Sequence, residues 1–255
     1  MPRSFLLGLC FGAFAAGFPA QAQDARQIVE EAQRRSVTQS QRYEGTLEVF
    51  NAQGLIAKKR WHYEQLGSHG SSKVVVRFLA PAEVKGVALL ILNRPDRASD
   101  QWMWTPALQR DRHITLQDRS TRFLGTDFTF EDLEERSVDQ FDYRLLGEDT
   151  VDGAVCWRIE ARPSKSKTSQ YTSTQLSIRK DNYVFAQCDG YVKDKLIRRV
   201  RSGQIERVSN IWTARWIEVT DLRRHSRTVL RMEKLEYNVP MKGEDFTVQA
   251  LRRES

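Results

Sequence analysis

The chain has 255 residues, of which 40 are Lys or Arg and 33 are Asp or Glu, so its formal net charge is +7. This length is sufficient to bury a substantial core, and an all-β chain of this size often forms a single domain. After residue 22 no stretch is apolar enough to span a bilayer, which excludes a helical membrane-spanning architecture.

The first 22 residues have the pattern of an export signal. Arg3 supplies positive charge, residues 5–18 form an uncharged and largely apolar run, and Ala20-Gln21-Ala22 has the small-x-small pattern of a cleavage site. The apolar run is shorter than the roughly 20 residues of a membrane-spanning helix. We therefore predict cleavage after Ala22, a periplasmic location, and a mature chain of residues 23–255 that forms one domain.

The three cysteines leave one question open. Cys10 lies in the export signal, where Leu9 occupies the position expected for a small residue and almost no apolar run precedes it, so lipidation at Cys10 is not expected. Cys156 and Cys188 remain in the mature chain, and an oxidising compartment would permit a disulfide between them. Two separate buried thiols are the alternative, because the sequence gives no distance between the two α-carbons.

One amphipathic helix is predicted at the start of the mature chain. Asp24 can cap it, and five residues then fall on one face at helical spacing: Ala25, Ile28, Val29, Ala32 and Ser36. The period of the pattern then changes from 3.6 to 2 residues. Residues 46–50 and 55–65 flank the turn candidate Asn51-Ala52-Gln53-Gly54, as in a β-hairpin.

Strand patterns continue through the rest of the chain. Residues 73–79 alternate, with Val76 and Phe78 on one side. Residues 87–92, which include Leu89 and Ile91, are apolar on both faces, which favours a strand with the core on one side and a lid or ligand on the other. Trp102 and Trp104 share one face of the next strand.

A hairpin signal at Asp152-Gly153 is followed by further alternating segments as far as residue 235. We therefore predict a mainly β (α+β) fold, an antiparallel meander of roughly ten strands. A sheet of this size should not stay flat, and it should curl into a barrel or a strongly curved half-barrel.

An apolar segment interrupts this meander. Residues 128–133 are predicted to begin a short inserted helix, with Thr129 as its cap and acidic residues in its first turn. The acidic residues of this region are interpreted as that first turn plus a solvated helix face: Glu131, Asp132, Glu134 and Glu135. Residues 164–169 are interpreted as a flexible polar loop.

Catalytic and metal-binding signatures are absent from the sequence. None of the four His residues lies in an H-E-x-x-H spacing, and C-x-x-C, G-x-S-x-G and phosphate-loop patterns are missing. We therefore expect no enzymatic activity and no cofactor. Since an exported protein seldom meets nucleic acid, the scattered basic clusters indicate either solvated faces or attraction to an anionic membrane surface.

Four segments in series resemble the outer-membrane lipoprotein-sorting protein group, the LolA-like periplasmic proteins. They are residues 77–90 (RFLAPAEVKGVALL), 101–110 (QWMWTPALQR), 123–133 (FLGTDFTFEDL) and 143–147 (YRLLG), the last leading to Cys156-Trp157. Thr126 replaces the usual Ser of a Gly-Ser-Asp motif, and Thr105 stands where a bulkier residue is common. These departures separate the chain from the dedicated lipoprotein carrier, and some relatives serve lipid-exporting transporters.

The resemblance implies a half-open antiparallel barrel with helices against its concave face, enclosing an apolar cavity for acyl chains. An acylated lipid or lipoprotein is the expected ligand, and an inner-membrane transporter is a possible partner. From strand alternation and position in the inserted segment, the predicted wall and lid residues are Val76, Phe78, Leu89, Ile91, Trp102, Trp104, Phe128, Phe130 and Leu133. The alternative function is a regulatory or assembly module that binds a protein through the same apolar surface.

Overall fold

A computed structural model describes residues 24–165 and 167–253. The predicted export signal and its cleavage site after Ala22 lie outside the described residues. The helices are α1 (Ala25–Arg35) and α2 (Val248–Leu251). The strands are β1 (Ser40–Asn51), β2 (Gly54–Leu66), β3 (Lys73–Ala80), β4 (Ala88–Leu92), β5 (Asp100–Thr105), β6 (Arg110–His113), β7 (Phe141–Val151), β8 (Ala154–Pro163), β9 (Ser173–Arg179), β10 (Phe185–Val192), β11 (Lys195–Val208), β12 (Ile211–Asp221) and β13 (Ser226–Tyr237).

All thirteen strands form one antiparallel sheet in the order β6-β5-β4-β3-β2-β1-β13-β12-β11-β10-β9-β8-β7. The chain begins at the middle of the sheet with β1 and proceeds strand by strand to the β6 edge. It then restarts at the opposite edge with β7 and returns to the middle, where β13 pairs with β1. The connection between the two edges, residues 114–140, therefore passes across the whole sheet, and we call it the crossover segment.

The sheet is strongly curved. The side-chain amide of Gln140, which directly precedes β7, donates a hydrogen bond of 3.2 Å to the backbone oxygen of Arg97, between β4 and β5. In the strand order β5 and β7 are eleven places apart, and at ~4.8 Å per strand a flat sheet would separate them by roughly 50 Å. The two ends of the sheet can meet only because the sheet curls, as predicted for so many strands.

Two sequence predictions are corrected by this architecture. The sheet has thirteen strands rather than roughly ten, and the strand with the weakest signal is β6, whose sequence Arg-Asp-Arg-His contains no apolar residue. The predicted inserted helix at residues 128–133 is absent, because these residues form a turn. Thr129 and Asp132 exchange hydrogen bonds as in a capping box, but no helix follows them.

Helix α1 matches its prediction closely. The Asp24 side chain accepts a hydrogen bond from the Arg26 amide, and the four buried residues of the helix are Ala25, Ile28, Val29 and Ala32. Ser36 is instead the exposed C-terminal cap. The apolar face of α1 packs on β7, β8 and β9, where Phe141, Ile159 and Leu176 are its buried partners.

The sheet is covered on both faces over β3 to β5. We call the face that carries α1 and the crossover segment the inner face, and the opposite one the outer face. On the outer face, Phe246 and Leu251 from the C-terminal segment bury Leu90 and Trp104. This double cover explains the continuous apolar run of β4, in which residues 88–91 are all buried. No helix in residues 24–165 or 167–253 is long and apolar enough to cross a membrane.

Candidate functional site

Most of the predicted wall residues lie together on the inner face. Val76 and Phe78 of β3 and Leu89 and Ile91 of β4 are fully buried members of one apolar cluster. The same cluster contains Phe128 and Phe130 from the crossover segment, with Leu133 partly buried against it. Strand alternation thus selected the correct face for β3 and β4.

Trp102 and Trp104 lie on the other side of the sheet. Both belong to the outer-face cluster with Leu90 and Phe246, so the choice of face for β5 was wrong by one residue. The inner-face position of β5 is taken by Met103, which pairs with Leu89. The two tryptophans were chosen by strand alternation, but the covering C-terminal segment creates a second apolar environment that alternation cannot distinguish from the first.

The crossover segment closes the inner face with aromatic side chains. The ring of Phe123 lies 5.5 Å from that of Phe78, and the ring of Phe130 lies 5.4 Å from that of Phe123. Phe128 reaches the ring of Trp61 on β2 at 6.1 Å. Such tilted ring pairs at 4.5–7 Å are favourable beyond simple burial, so the segment acts as a packed plug over the sheet.

Asp127 fixes the middle of the crossover segment to the sheet. Its buried carboxylate accepts hydrogen bonds from Ser226 at 2.6 Å and from Thr228 at 2.8 Å, both on β13. Arg122 lies 3.1 Å from the same carboxylate, and the buried Arg198 of β11 donates to the Asp127 backbone oxygen. Hydrogen bonds to an ionised buried acceptor are among the stronger ones in proteins.

Two further carboxylates of the crossover segment hold buried cations. Asp132 accepts from Arg198 at 2.7 Å and from the Tyr171 hydroxyl at 3.1 Å. Glu134 pairs with the buried Arg119, and its other oxygen lies 3.1 Å from the Lys167 ammonium. Burial lowers the pKa of Lys167 and raises the pKa of Tyr171 well above its usual range.

The acidic residues are therefore attachment points and not a solvated helix face, which corrects their interpretation. Glu131 accepts from the Gln170 amide at 2.9 Å, and Glu135 accepts from Gln65 at 2.7 Å and from Ser72 at 2.6 Å. Together the four acids join the crossover segment to strands or loops on both halves of the sheet. Their partners are far away in the sequence, so no local pattern could have identified them.

A cavity of about 240 Å³ lies next to this plug. Val200, Ile217 and Val219 form part of its apolar wall, Phe128 separates it from the aromatic cluster, and the acidic residues of the crossover segment surround it together with Arg136 and Lys167. This volume is below the roughly 300–1,000 Å³ of ordinary ligand pockets. A large apolar ligand would fit only if the crossover segment moved away from the sheet.

Cys156 and Cys188 are separate thiols. Cys188 pairs with Leu176, which in turn pairs with Ile159, so Cys188 shares the inner face with them. Cys156 lies an odd number of residues from Ile159 on β8 and points to the outer face. Of the two alternatives that the sequence left open, the structure has two unlinked thiols, and burial raises the pKa of each.

His69 connects the end of α1 to the β2–β3 loop, and a pH dependence is expected from it. The Ser36 hydroxyl lies 3.0 Å from His69 Nε2, and burial lowers the pKa of His69 below its usual 6.5 while Glu135 opposes this shift. The unfolded chain therefore takes up a proton at a higher pH than the folded chain. The free energy of unfolding should fall as the pH drops below about 6.5, and level off once the pH is below the folded-state pKa.

Unfolding by urea at a series of pH values tests this. His69→Gln should flatten the pH dependence just below about pH 6.5, where one differential proton contributes at most ~1.4 kcal/mol per pH unit. His225→Gln, at an exposed turn, should leave the slope of the parent protein unchanged. A His69→Gln variant with the parent slope would contradict the assignment.

Comparisons with known proteins agree with this architecture. A family model described as "Uncharacterized protein" matches residues 70–253. A DUF1329 family protein from Desulfovibrio piger has a TM-score of 0.85 and 25% identity, over 89% of this chain and 98% of that chain. An outer membrane lipoprotein-sorting protein domain from Vibrio parahaemolyticus also has a TM-score of 0.85, with 23% identity over 90% of this chain and 98% of that chain.

A LolA superfamily protein from Nitrosomonas europaea has a TM-score of 0.70 and 19% identity, over 90% of this chain and 100% of that chain. A search of curated proteins finds no match. The fold is LolA-like, which confirms the resemblance drawn from the four sequence segments. In the described part of the chain, no group of three or more His, Cys, Asp or Glu side chains could hold a metal ion.

Proposed function

We propose that this chain, which belongs to the family whose model matches residues 70–253 and shares its fold with a DUF1329 family protein, is a periplasmic carrier of acyl chains. The ligand is the acyl part of a lipid or lipoprotein, held between the inner face and the crossover segment. The similar structure from Vibrio is an outer membrane lipoprotein-sorting protein domain, and delivery by an inner-membrane transporter fits the same scheme.

One observation carries this proposal: an apolar sheet face is closed by a segment that contains no α-helix and no strand of the sheet and is attached largely through side chains. Val76, Phe78, Leu89 and Ile91 form the floor beneath this segment. Phe128 lines the 240 Å³ cavity and belongs to the same apolar cluster as these four residues. An acyl chain that enters the cavity and displaces Phe128 would therefore reach this apolar surface without exposing the surface to water.

The energies permit exchange in both directions. Burying a 16-carbon acyl chain yields on the order of 12 kcal/mol at ~0.8 kcal/mol per CH₂. Displacing Phe128 and Phe130 from their buried positions would lose about 3–6 kcal/mol, at ~1.5–3 kcal/mol each. Association and ordering oppose binding by several kcal/mol more. The plug thus reduces the net affinity, which a carrier requires in order to release its cargo.

Filling the cavity tests the proposal. Ile217 lines the cavity, whereas its neighbour Glu218 is on the opposite face of β12 and pairs with Arg227. Native mass spectrometry of the mature protein from the periplasm should detect a bound acylated species. Ile217→Trp should reduce the occupied fraction about tenfold by overpacking the site, and Glu218→Trp should leave it unchanged.

Two outcomes would contradict the proposal. The first is normal lipid content in the Ile217→Trp protein. The second is a parent protein that is repeatedly empty of lipid, and if that protein also held a stoichiometric protein partner, the result would favour the alternative binding module.

A further inference from the structure

Five consecutive strand connections lie along one end of the sheet. They join β5 to β6, β3 to β4, β1 to β2, β12 to β13 and β10 to β11, and consist of residues 106–109, 81–87, 52–53, 222–225 and 193–194. At ~4.8 Å per strand, this row extends over about 40 Å of the sheet. We call these connections, with the first residues of β2 and β11 and the neighbouring Arg252 and Arg253, the basic rim.

Cations on the basic rim outnumber acids. Lys85, Lys193 and Lys195 are exposed, and within the described residues none of them has an acidic partner. The exposed Arg223 and Arg224 share a single buried carboxylate, that of Asp221, at 3.6 and 3.9 Å. Asp221 is also 3.7 Å from the buried Arg198, so it leaves most of the positive charge of the two exposed arginines uncompensated.

Several cations at the opposite end of the sheet are paired with acids. Arg94 and Arg97 of the β4–β5 loop both contact Asp100. Arg201 contacts Asp152 at the β7–β8 turn. Arg207, also at this end, lies over the Trp212 ring at 5.4 Å, so the rim differs from this end in degree.

Large aliphatic side chains project from the same rim. Leu55 and Ile56 are 54% and 57% exposed, Leu108 is 72% exposed and Leu222 is 38% exposed. They are spread over three of the five connections and do not form one compact patch. A row of separate aliphatic groups among cations matches the interfacial region of an anionic bilayer, which is apolar just below a layer of phosphates.

A depression at the β6 side of the rim adds a place for a headgroup. It has a volume of about 520 Å³ and is lined by Arg77, Lys85, Arg252 and Arg253 together with Trp104, and no acidic residue lines it within the described chain. The Arg252 guanidinium lies over the Trp104 ring at 5.9 Å. Arg252 pairs with Asp111 and Arg253 lies 3.4 Å from Asp245, so Lys85 and Arg77 are the lining cations without a carboxylate partner among the described residues. An open depression with this excess of positive charge favours a phosphate group.

We propose that the basic rim docks the protein onto an anionic phospholipid bilayer. Leu55, Ile56, Leu108 and Leu222 enter the boundary between headgroups and acyl chains. Lys85, Arg223 and Arg224 contact lipid phosphates. This surface is independent of the inner-face cavity, and it would place one defined end of the curved sheet at the membrane.

Flotation with vesicles tests the docking surface. The mature protein should float with vesicles of phosphatidylglycerol and phosphatidylcholine in equal parts, and not with vesicles of phosphatidylcholine alone. Arg223→Gln combined with Arg224→Gln should lower the partition coefficient about thirtyfold. Arg94→Gln combined with Arg207→Gln removes the same charge at the opposite end and should change it by less than about threefold.

A second pair of variants tests the aliphatic contribution. Ile56 on the rim and Val37 at the opposite end are both 57% exposed. Ile56→Ser should reduce vesicle binding about tenfold, because most of the apolar side chain that would be buried in the bilayer is removed. Val37→Ser should have no effect. Equal losses in the rim and control variants, or equal binding to both vesicle types, would overturn the proposal.

The expected flotation with anionic vesicles does not depend on whether the protein carries acyl chains. Ile217→Trp alters the cavity and leaves the rim intact, so this variant should float like the parent protein. Normal flotation of Ile217→Trp with normal lipid content would contradict only the carrier proposal. Loss of flotation in Ile217→Trp would overturn the rim as the docking surface.

Discussion

Replacing Asp127 by Ala is expected to lower the free energy of unfolding by about 3–5 kcal/mol, as when one member of a buried ion pair is removed. The carboxylate is fully buried, accepts hydrogen bonds from Ser226 and Thr228, and forms an ion pair with Arg122. In the variant the two hydroxyls would lose their acceptor and Arg122 would lose its ion-pair partner. The crossover segment should then detach from β13 before the sheet itself unfolds.

Urea unfolding, followed by circular dichroism and by protease sensitivity within residues 114–140, measures both parts of this expectation. Asp139→Ala is the matched control, because Asp139 is also on the crossover segment but its side chain is 76% exposed in its pair with Arg26. That change should be worth less than about 1 kcal/mol. Asp127→Asn keeps the shape and one acceptor, and should fall between the two at about 1–3 kcal/mol.

An Asp127→Ala protein as stable as Asp139→Ala would mean that the carboxylate does not hold the segment. Increased proteolysis in Asp127→Ala with little loss of global stability would mean that the Asp127 contacts hold the crossover segment but do not stabilise the rest of the sheet. Either result would separate attachment of the crossover segment from folding of the sheet.

Local patterns predicted those parts of the fold that local forces determine. The capped helix α1, the hairpin at residues 51–54 and the doubly covered β4 all follow from periodicity and turn residues, and all three are present. The crossover segment was identified as an interruption, but its helix was not formed. The capping residues Thr129 and Asp132 form hydrogen bonds with each other, and Arg198 and Tyr171 also donate to the Asp132 carboxylate. Long-range partners thus replace the hydrogen bonds that a helix would have supplied.

For the candidate site, strand alternation could predict only which side chains share a face of the sheet. Val76, Phe78, Leu89 and Ile91 were placed correctly because β3 and β4 have long apolar patterns. Trp104 was misplaced because burial under Phe246 depends on a C-terminal segment that is distant in sequence. The burial of Arg119, Lys167 and Arg198 could not be predicted, because a charged residue is expected at the surface unless its ion-pair partner is known.

Leu89 and Leu90 offer the sharpest test of where an acyl chain binds. They are consecutive, both are fully buried, and they face opposite sides of β4, Leu89 beneath the crossover segment and Leu90 beneath Phe246 and Leu251. Each Leu→Ala change should lower the free energy of unfolding of the lipid-free protein by about 2–5 kcal/mol. In the absence of lipid, the two variants should therefore behave alike.

Lipid should distinguish them. A cavity left by Leu89→Ala opens into the proposed path of the acyl chain, which can fill it with about two methylenes and recover ~1–2 kcal/mol. The cavity left by Leu90→Ala is sealed on the outer face and should recover nothing. The measurement is the stability gained on adding palmitoyl lysophosphatidylcholine below its critical micelle concentration, compared among the parent and both variants.

A larger gain in Leu89→Ala than in the parent, with an unchanged gain in Leu90→Ala, would place the chain on the inner face. Equal gains in all three proteins would place it elsewhere, because ligand-linked stabilisation can differ between variants only where the ligand contacts the altered site. Leu90→Ala is the control because it should be destabilised as much as Leu89→Ala. The two variants should therefore differ only in the stability that each gains when lipid is added.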